Sequence, residues 1–131
     1  MPTIFSRIVN GEIPCYKVAE TADYLAFLDV RPQAKGHTLC IPKREIDYIF
    51  DMEDELLGGL MVFAKKVAKA VEKVVPCQRI GVAVIGLEVP HAHVHLIPLN
   101  SISDLSFGKE PVAMSPEAMS DLAAKIAAHV G

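Results

Sequence analysis

Apolar residues recur at spacings of three and four between positions 56 and 75, with polar residues between them. This spacing places the apolar side chains on one face, so it predicts an amphipathic helix of about five to six turns. Pro76 ends the pattern, because proline does not continue a helix. The pair Gly58-Gly59 is unfavourable inside a helix, so we expect a close packing contact there, within the chain or with another chain. The apolar positions are Leu56, Leu57, Leu60, Phe63, Ala64, Val67, Val71, Val74 and Val75.

Shorter patterns predict five β-strands and two further helical segments. The strands are expected over residues 16–21, 23–29, 37–42, 78–86 and 91–99. A short helical turn is expected over residues 3–9, and a final helix over about residues 115–130. That final helix begins at Ser115, which can cap it, and Pro116 suits its first position. The order of these elements predicts an α+β fold with a mostly antiparallel sheet.

The composition favours one domain with its own core. The chain has 131 residues, about half of them apolar, and a formal net charge of -3. We therefore expect a single domain over residues 1–131, with a core at about 3–98 and a C-terminal extension. The net charge disfavours nucleic acid or an anionic membrane as the main partner.

The cysteines indicate a reducing compartment. Cys15, Cys40 and Cys77 are widely spaced, and no Cys-x-x-Cys pair occurs. This pattern disfavours a disulfide framework or a cysteine zinc site. No apolar run reaches the roughly 20 residues that span a bilayer, and the first residues do not resemble a secretion signal. We expect a cytoplasmic protein without a membrane partner.

Three of the five histidines stand at alternate positions, His91, His93 and His95. Alternate side chains of a strand share one face, which would place all three histidines together. The residues between them, Ala92 and Val94, would then face the core.

Three interpretations of these histidines remain open. They are a structural feature, a metal site with Glu88 or His37 as a further ligand, or a site of phosphoryl transfer. Imidazole binds several transition metals, but the usual metal-hydrolase spacings are missing. A neutral imidazole is also a good nucleophile, and flanking imidazoles can orient it and donate to phosphoryl oxygens.

The segment from His91 to Ile97 matches the motif His-φ-His-φ-His-φ-φ, in which φ is apolar. Two further segments, IFSRIVNGEIPCYKV and YLAFLDVRPQAKGHTLCIPK, resemble other signatures of the same family, in the same order. Over about residues 3–98 the chain thus resembles the histidine triad (HIT) superfamily, and within it the Hint-like branch of nucleoside phosphoramidases. The resemblance implies a HIT-like fold with a five-stranded sheet, one long helix and a C-terminal helix.

The resemblance also implies an activity and a set of catalytic residues. His93 would attack the phosphorus of a nucleoside 5'-phosphoramidate or similar purine nucleotide conjugate, forming a covalent nucleotidyl-histidine. His95 would contact the phosphate and the leaving group. His91 would hydrogen-bond within the row of three histidines and orient His93. His37 would join this network as a supporting partner. No cofactor or metal is implied, and the family resemblance implies a homodimer formed through the long helix and the fourth strand.

The nucleotide would be bound mainly by residues of the first two signatures. Asp29 would bind the ribose hydroxyls, because a carboxylate accepts such hydrogen bonds strongly. Apolar residues would wall the base pocket or flank Asp29, although ordinary core packing is the alternative interpretation for each. These residues are Ile4, Phe5, Ile8, Phe27, Leu28 and Val30.

The chain departs from the family pattern at two places. Thr3 and Ser6 occupy the positions of a Cys-x-x-Cys pair that binds zinc in some members, so we expect no structural zinc. Leu87 and Glu88 stand where Hint-like proteins have glutamine and serine or threonine. Glu88 is expected at the nucleotide site, where an ionised carboxylate would repel the phosphate.

These departures keep alternative functions open. They are a nucleotide-binding protein with weak or lost catalysis, a dinucleoside polyphosphate hydrolase and, less favoured, a metal-dependent hydrolase. The segment 106–109 could close over the site, but a plain surface connection is the preferred interpretation.

Overall fold

The computed structural model describes residues 2–131, so Met1 lies outside it. Five strands form one antiparallel sheet in the order β1-β2-β3-β5-β4. The strands are β1 Lys17–Glu20, β2 Tyr24–Leu28, β3 Thr38–Pro42, β4 Arg79–Ala83 and β5 Val94–Leu99. The helices are α1 Ile4–Val9, α2 Asp54–Val74 and α3 Pro116–Ala127. The α+β prediction is confirmed, with every predicted strand and helix present.

The main core lies between one face of the sheet and helices α2 and α3. The predicted apolar face of α2 is buried here, including Leu60, Val67 and Val71. Ala92 and Val94 enter the same core from the sheet. The side chain of Ser115 caps α3 as predicted, since it accepts a hydrogen bond from the backbone of Ala118.

A smaller apolar cluster covers the opposite face of the sheet, beneath α1. Its fully buried members are Phe5, Leu25, Phe27, Leu39 and Ile41. The Phe5 ring reaches beyond this cluster, with its centroid 5.0 Å from that of His93 and 5.8 Å from that of His91. The histidines therefore share this face of the sheet with α1.

Two glycines are explained by close packing. A Cβ atom at Gly59 would collide with the hydroxyl group of Tyr24, which donates to the carbonyl of Leu56 at 2.9 Å. The expected close contact is thus made within the chain, while Gly58 faces open space. Gly36 has a φ of 95°, and a Cβ there would come within 2.9 Å of Val75. Glycine at position 36 lets the chain turn tightly just before His37.

Within residues 2–131, the helices include none that is long and apolar enough to span a bilayer.

Candidate active site

The three histidines of the motif are buried, but only one lies on a strand. The ladder between β3 and β5 ends at the pair Cys40 and Val94, so His91 and His93 precede the strand. Ahead of it, the backbone N–H of Ala92 donates to the carbonyl of Ile46 instead of to a neighbouring strand. The prediction of a strand from residue 91 is therefore wrong for its first three residues. The prediction that Ala92 and Val94 face the core still holds.

His93 is held in one tautomer by the main chain. Its Nδ1 atom lies 2.7 Å from the carbonyl oxygen of His91. A carbonyl oxygen only accepts hydrogen bonds, so Nδ1 carries a proton, and in the neutral ring the lone pair is on Nε2. The ring lies edge-on to Phe5 and to His95, with centroid separations of 5.0 and 4.9 Å. The hydrogen bond thus fixes the orientation of the His93 ring and leaves Nε2 as the nitrogen that is not engaged by the main chain.

The ring of His91 is fully buried, and both of its nitrogens bond to groups other than His93 and His95. Its Nε2 donates to the carbonyl of Pro42 at 2.8 Å, which leaves Nδ1 to accept from the Thr3 hydroxyl at 2.9 Å. Burial lowers the pKa of His91 and favours this neutral form. The hydrogen bond between His91 and His93 is made by the main-chain carbonyl of His91 and not by its ring. The His91 ring instead fastens the segment to its surroundings.

Thr3 and Ser6 belong to a hydrogen-bonded cluster with Glu45. Glu45 Oε1 accepts from the Ser6 hydroxyl at 2.7 Å and from the Thr3 backbone N–H at 2.8 Å. Both hydrogen bonds lower the pKa of Glu45, and the bond from Thr3 has the larger effect. Thr3 also caps α1 by accepting from the Ser6 N–H at 3.0 Å. The cluster connects the start of α1 to His91, and the sequence had given no reason to include Glu45.

A second chain of hydrogen bonds fixes His37 and His95. The backbone N–H of Gln33 donates to His37 Nδ1 at 2.9 Å, so a neutral His37 carries its proton on Nε2. That nitrogen lies 2.9 Å from His95 Nδ1 and donates to it. His95 must then carry its own proton on Nε2. The resulting N–H is a donor available to a ligand in the cavity that His95 lines.

Burial keeps both of these histidines neutral near pH 7. Burial, together with the nearby His95, lowers the pKa of His37 to about 3. Burial and the nearby His93 lower the pKa of His95 to about 4. The 3.6 Å contact between His37 Nε2 and Asp29 Oδ2 is therefore a contact of a carboxylate with a neutral ring.

Asp29 follows β2 and lines the same cavity. Its Oδ1 accepts the backbone N–H of Arg31 at 2.9 Å. Burial raises the pKa of Asp29, and the nearby Glu88 adds to the rise. Asp29, His37 and His95 bring ligand-type atoms within 4.8 Å of one another. The trio suits a metal ion poorly, because the Gln33 N–H occupies His37 Nδ1 and leaves the proton on Nε2.

A cavity of about 660 Å³ opens beside these groups. Of the predicted site residues, it brings together Asp29, His37, Glu88, His93 and His95. Leu87 also lines it, as do Phe107 and Lys109 of the segment 106–109. The remaining lining residues were not predicted from the sequence, and they are Arg31, Gln33, Ile85, Gly86 and Pro111.

The segment 106–112 forms one wall of the cavity. The centroid of the Phe107 ring lies 4.8 Å from that of His95. The backbone N–H of Val112 donates to the carbonyl of Pro32 at 2.8 Å and holds the segment in place. The preferred interpretation of this segment as a plain surface connection is wrong. Lys109 of this segment and Arg31 bring two cations to the cavity, which also holds the carboxylates of Asp29 and Glu88.

The predicted base-pocket residues lie outside the lining of this cavity. Phe5 and Phe27 are buried in the cluster beneath α1, and Ile8 packs against that cluster. Ile4 and Val30 expose 50% and 72% of their surface. Side chains alternate along β2, so the side chain of Leu28 faces the core on the α2 side and does not reach the site.

The sequence profile of the HIT domain matches residues 10–102. The chain belongs to the HIT family. This HIT protein is 38% identical over 133 aligned positions to an adenosine 5'-monophosphoramidase of Schizosaccharomyces pombe, and the match covers 99% of both chains. It is 42% identical over 97 positions to the adenosine 5'-monophosphoramidase of Saccharomyces cerevisiae, covering 72% of this chain and 61% of the yeast protein.

The fold agrees with this assignment. A crystal structure of a Hit-like protein from Bartonella henselae superposes with a TM-score of 0.84 at 33% identity, covering 97% of this chain and 95% of that one. A zinc-bound histidine triad protein from Mycobacterium smegmatis superposes with a TM-score of 0.80 at 27% identity, covering 95% and 93%. The predicted HIT-like fold is therefore confirmed.

Proposed function

We propose that this HIT protein hydrolyses nucleoside 5'-phosphoramidates, with His93 Nε2 as the nucleophile. The observation that carries the proposal is the 2.7 Å hydrogen bond from His93 Nδ1 to the His91 carbonyl. It leaves the Nε2 lone pair free on a ring that lines the cavity. The similarity to adenosine 5'-monophosphoramidases supports the substrate class and favours adenine as the base.

The reaction would proceed in two displacements at phosphorus. In the first, a bond forms between His93 Nε2 and phosphorus while the P–N bond breaks, and the departing amine takes up a proton supplied by water. In the second, water adds its oxygen to phosphorus, releases a proton and frees His93. The products are one nucleoside monophosphate and one amine for each water consumed. The Nε2–H of His95 stabilises the phosphoryl oxygens as negative charge develops on them.

The cavity offers separate partners for the rest of the nucleotide. The Asp29 carboxylate would accept hydrogen bonds from the ribose hydroxyls, as the family resemblance implies. Arg31 and Lys109 would offset the charge of the phosphate. The base would extend toward the apolar residues beneath α1, where Ile4 and Val30 expose side chains.

Replacing His93 tests the proposal. We expect His93→Ala to lower kcat with adenosine 5'-phosphoramidate by at least about 1000-fold while the affinity for AMP stays within a few-fold. His129→Ala is the matched control, because His129 is an exposed histidine far along the chain near the end of α3. Near wild-type turnover in His93→Ala would contradict the proposal.

A nucleotide-binding protein without catalysis is the second candidate. It is favoured by Leu87, which is 88% exposed, and by Glu88, which brings a carboxylate to the cavity that must hold a phosphate. Calorimetric binding of AMP together with no turnover of any phosphoramidate would establish this candidate and remove the first.

We also propose a homodimer in the cytoplasm. β4 is an edge strand, and Val82 on it exposes 53% of its surface. Val62 on α2 is also largely exposed. Exposed apolar residues on an unpaired edge favour association. We expect wild-type protein to sediment as a dimer and Val82→Glu to sediment as a monomer. Ile102→Glu, which changes another exposed apolar residue, should remain a dimer. A wild-type monomer would contradict the proposed homodimer.

The unpaired Cys15, Cys40 and Cys77 are consistent with a reducing compartment.

A further inference from the structure

The peptide group between His91 and Ala92 orients the proposed nucleophile. Its carbonyl accepts from His93 Nδ1 at 2.7 Å, and its N–H donates to the carbonyl of Ile46 at 2.7 Å. Both residues precede β5, so the ladder of the sheet does not hold this peptide group. Its orientation therefore depends on hydrogen bonds to other segments of the chain.

The ring of His91 ties the same peptide group to two of those segments. Its Nε2 donates to the Pro42 carbonyl at 2.8 Å, and its Nδ1 accepts from the Thr3 hydroxyl at 2.9 Å. Both the His91 ring and Thr3 are buried. Because a buried donor or acceptor without a partner is costly, these two bonds favour a single orientation of the ring.

Glu45 holds Thr3 in place for this contact. Its Oε1 accepts from the Thr3 backbone N–H at 2.8 Å and from the Ser6 hydroxyl at 2.7 Å. Hydrogen bonds to a carboxylate are charge-assisted and stronger than those between neutral groups. They fix the turn that begins α1 and keep the Thr3 hydroxyl beside His91. The next residue, Ile46, accepts the N–H of the peptide group, so one short loop supports this group by two routes.

The start of α1 also reaches the nucleophile through an aromatic contact. Phe5 follows Thr3 by two residues, and its ring lies edge-on to that of His93 with the centroids 5.0 Å apart. An α1 helix that is fixed at its start therefore limits how far the His93 ring can tilt.

We propose that Glu45 is a positioning residue, which acts through Thr3 and His91 to hold His93 in the tautomer that leaves the lone pair on Nε2. Glu45 lies outside the lining of the cavity, so it acts on the reaction only through other residues. This inference rests on the proposed phosphoramidase function, in which that nitrogen attacks phosphorus. Loss of Glu45 should therefore lower turnover and leave nucleotide binding almost unchanged.

Two pairs of variants test this role by kinetics. Thr3→Val removes the hydroxyl and keeps the branched shape, whereas Thr3→Ser keeps the hydroxyl. Glu45→Ala removes the acceptor, and Asp47→Ala is its matched control, because Asp47 is an exposed carboxylate of the same loop. We expect Thr3→Val and Glu45→Ala to lower kcat with adenosine 5'-phosphoramidate about 10-fold, while the affinity for AMP changes less than about 2-fold. Thr3→Ser and Asp47→Ala should stay close to the wild-type kcat.

The tautomer of His93 is a readout that does not depend on turnover. NMR spectra of protein with isotope-labelled histidine rings show which nitrogen carries the proton at alkaline pH, where imidazole is neutral. The His93 signals are identified by their loss in His93→Ala. In the wild type we expect His93 to be protonated on Nδ1, unlike the other three histidines of the site. In Thr3→Val and Glu45→Ala, His93 should populate both tautomers.

The possible failures are distinguishable. A His93 ring that keeps one tautomer in both Thr3→Val and Glu45→Ala, or a kcat that stays at the wild-type value in both, would overturn the positioning role. A loss of AMP affinity as large as the loss of kcat would also overturn it, because that result would indicate a general loosening around α1. A wild-type protein that turns over no phosphoramidate would overturn the proposed function, and the tautomer of His93 would still decide whether Glu45 positions the ring.

Discussion

His37 Nε2 lies 2.9 Å from His95 Nδ1, and the two rings are tilted by 48° at a centroid separation of 5.2 Å. Because the Gln33 N–H donates to His37 Nδ1, the positions of the protons on both histidine rings are fixed. His37 donates to His95, and His95 presents its remaining N–H to the cavity. A residue 58 positions earlier in the sequence thus sets the tautomer of a histidine that lines the cavity.

His37→Phe removes the donor while keeping a planar ring. Without it, His95 can take the other tautomer and lose the N–H that it presents to the cavity. We expect kcat for adenosine 5'-phosphoramidate to fall about 10-fold or more, with a smaller change in KM. His37→Gln can still donate from its amide and should retain more activity than the phenylalanine variant. Equal activity of wild type and His37→Phe would show that this hydrogen bond does not position His95.

The same two histidines make stability depend on pH. Their pKa values in the folded protein, about 3 for His37 and about 4 for His95, lie below the ordinary value of 6.5. The unfolded chain therefore binds more protons between pH 6.5 and about 4, so stability is lost as the pH falls through this range. We expect Tm to decrease steadily from pH 6.5 to 4.5, and to decrease less in His37→Phe. A Tm that is flat over this range in the wild type would contradict the burial of neutral imidazoles.

Gly59 and Gly58 form a matched pair for testing the packing of α2. A methyl group at Gly59 collides with the Tyr24 hydroxyl, and one at Gly58 meets open space. We expect Gly59→Ala to lower the free energy of unfolding by about 1–3 kcal/mol. Gly58→Ala should raise it by up to about 1 kcal/mol through better helix propensity. Urea denaturation of both variants measures the difference, and equal effects would refute the contact with Tyr24.

Glu88 should weaken the binding of the phosphate. It shares the cavity with His93, and it contributes to the raised pKa of Asp29. A second carboxylate in a partly enclosed site repels an anionic group. We expect Glu88→Gln to tighten AMP binding about 3- to 10-fold, measured by calorimetry at low salt, and the gain to shrink at high salt. Weaker binding in Glu88→Gln would mean that the carboxylate accepts a hydrogen bond from the ligand.

Much of the fold was predictable because it depends on local patterns. The apolar face of α2 and the capping of α3 by Ser115 each depend on residues that are close together in the sequence. Both predictions are confirmed. The members of the cavity were predictable where the family signatures carry them, as at Asp29, His37, His93 and His95. Side-chain alternation could not reveal that the strand begins at Val94, because its start depends on the bond from Ala92 to Ile46.

The missed site residues depend on contacts between distant segments. Gln33 and Glu45 are ordinary polar residues in their own surroundings, and their roles follow from where His37 and His91 lie in space. Phe107 reaches the site because the segment after β5 turns back over His95. No periodicity signals such a return, so closure of the segment 106–109 over the site was only the less favoured of two interpretations.

The stereochemistry at phosphorus tests the covalent His93 intermediate most directly. An adenosine 5'-phosphoramidothioate of one configuration, hydrolysed in water labelled with a heavy oxygen isotope, gives a thiophosphate whose configuration can be determined. Each in-line displacement inverts phosphorus, so attack by His93 followed by attack by water predicts overall retention. Overall inversion would mean that water attacks phosphorus directly, and it would contradict nucleophilic catalysis by His93.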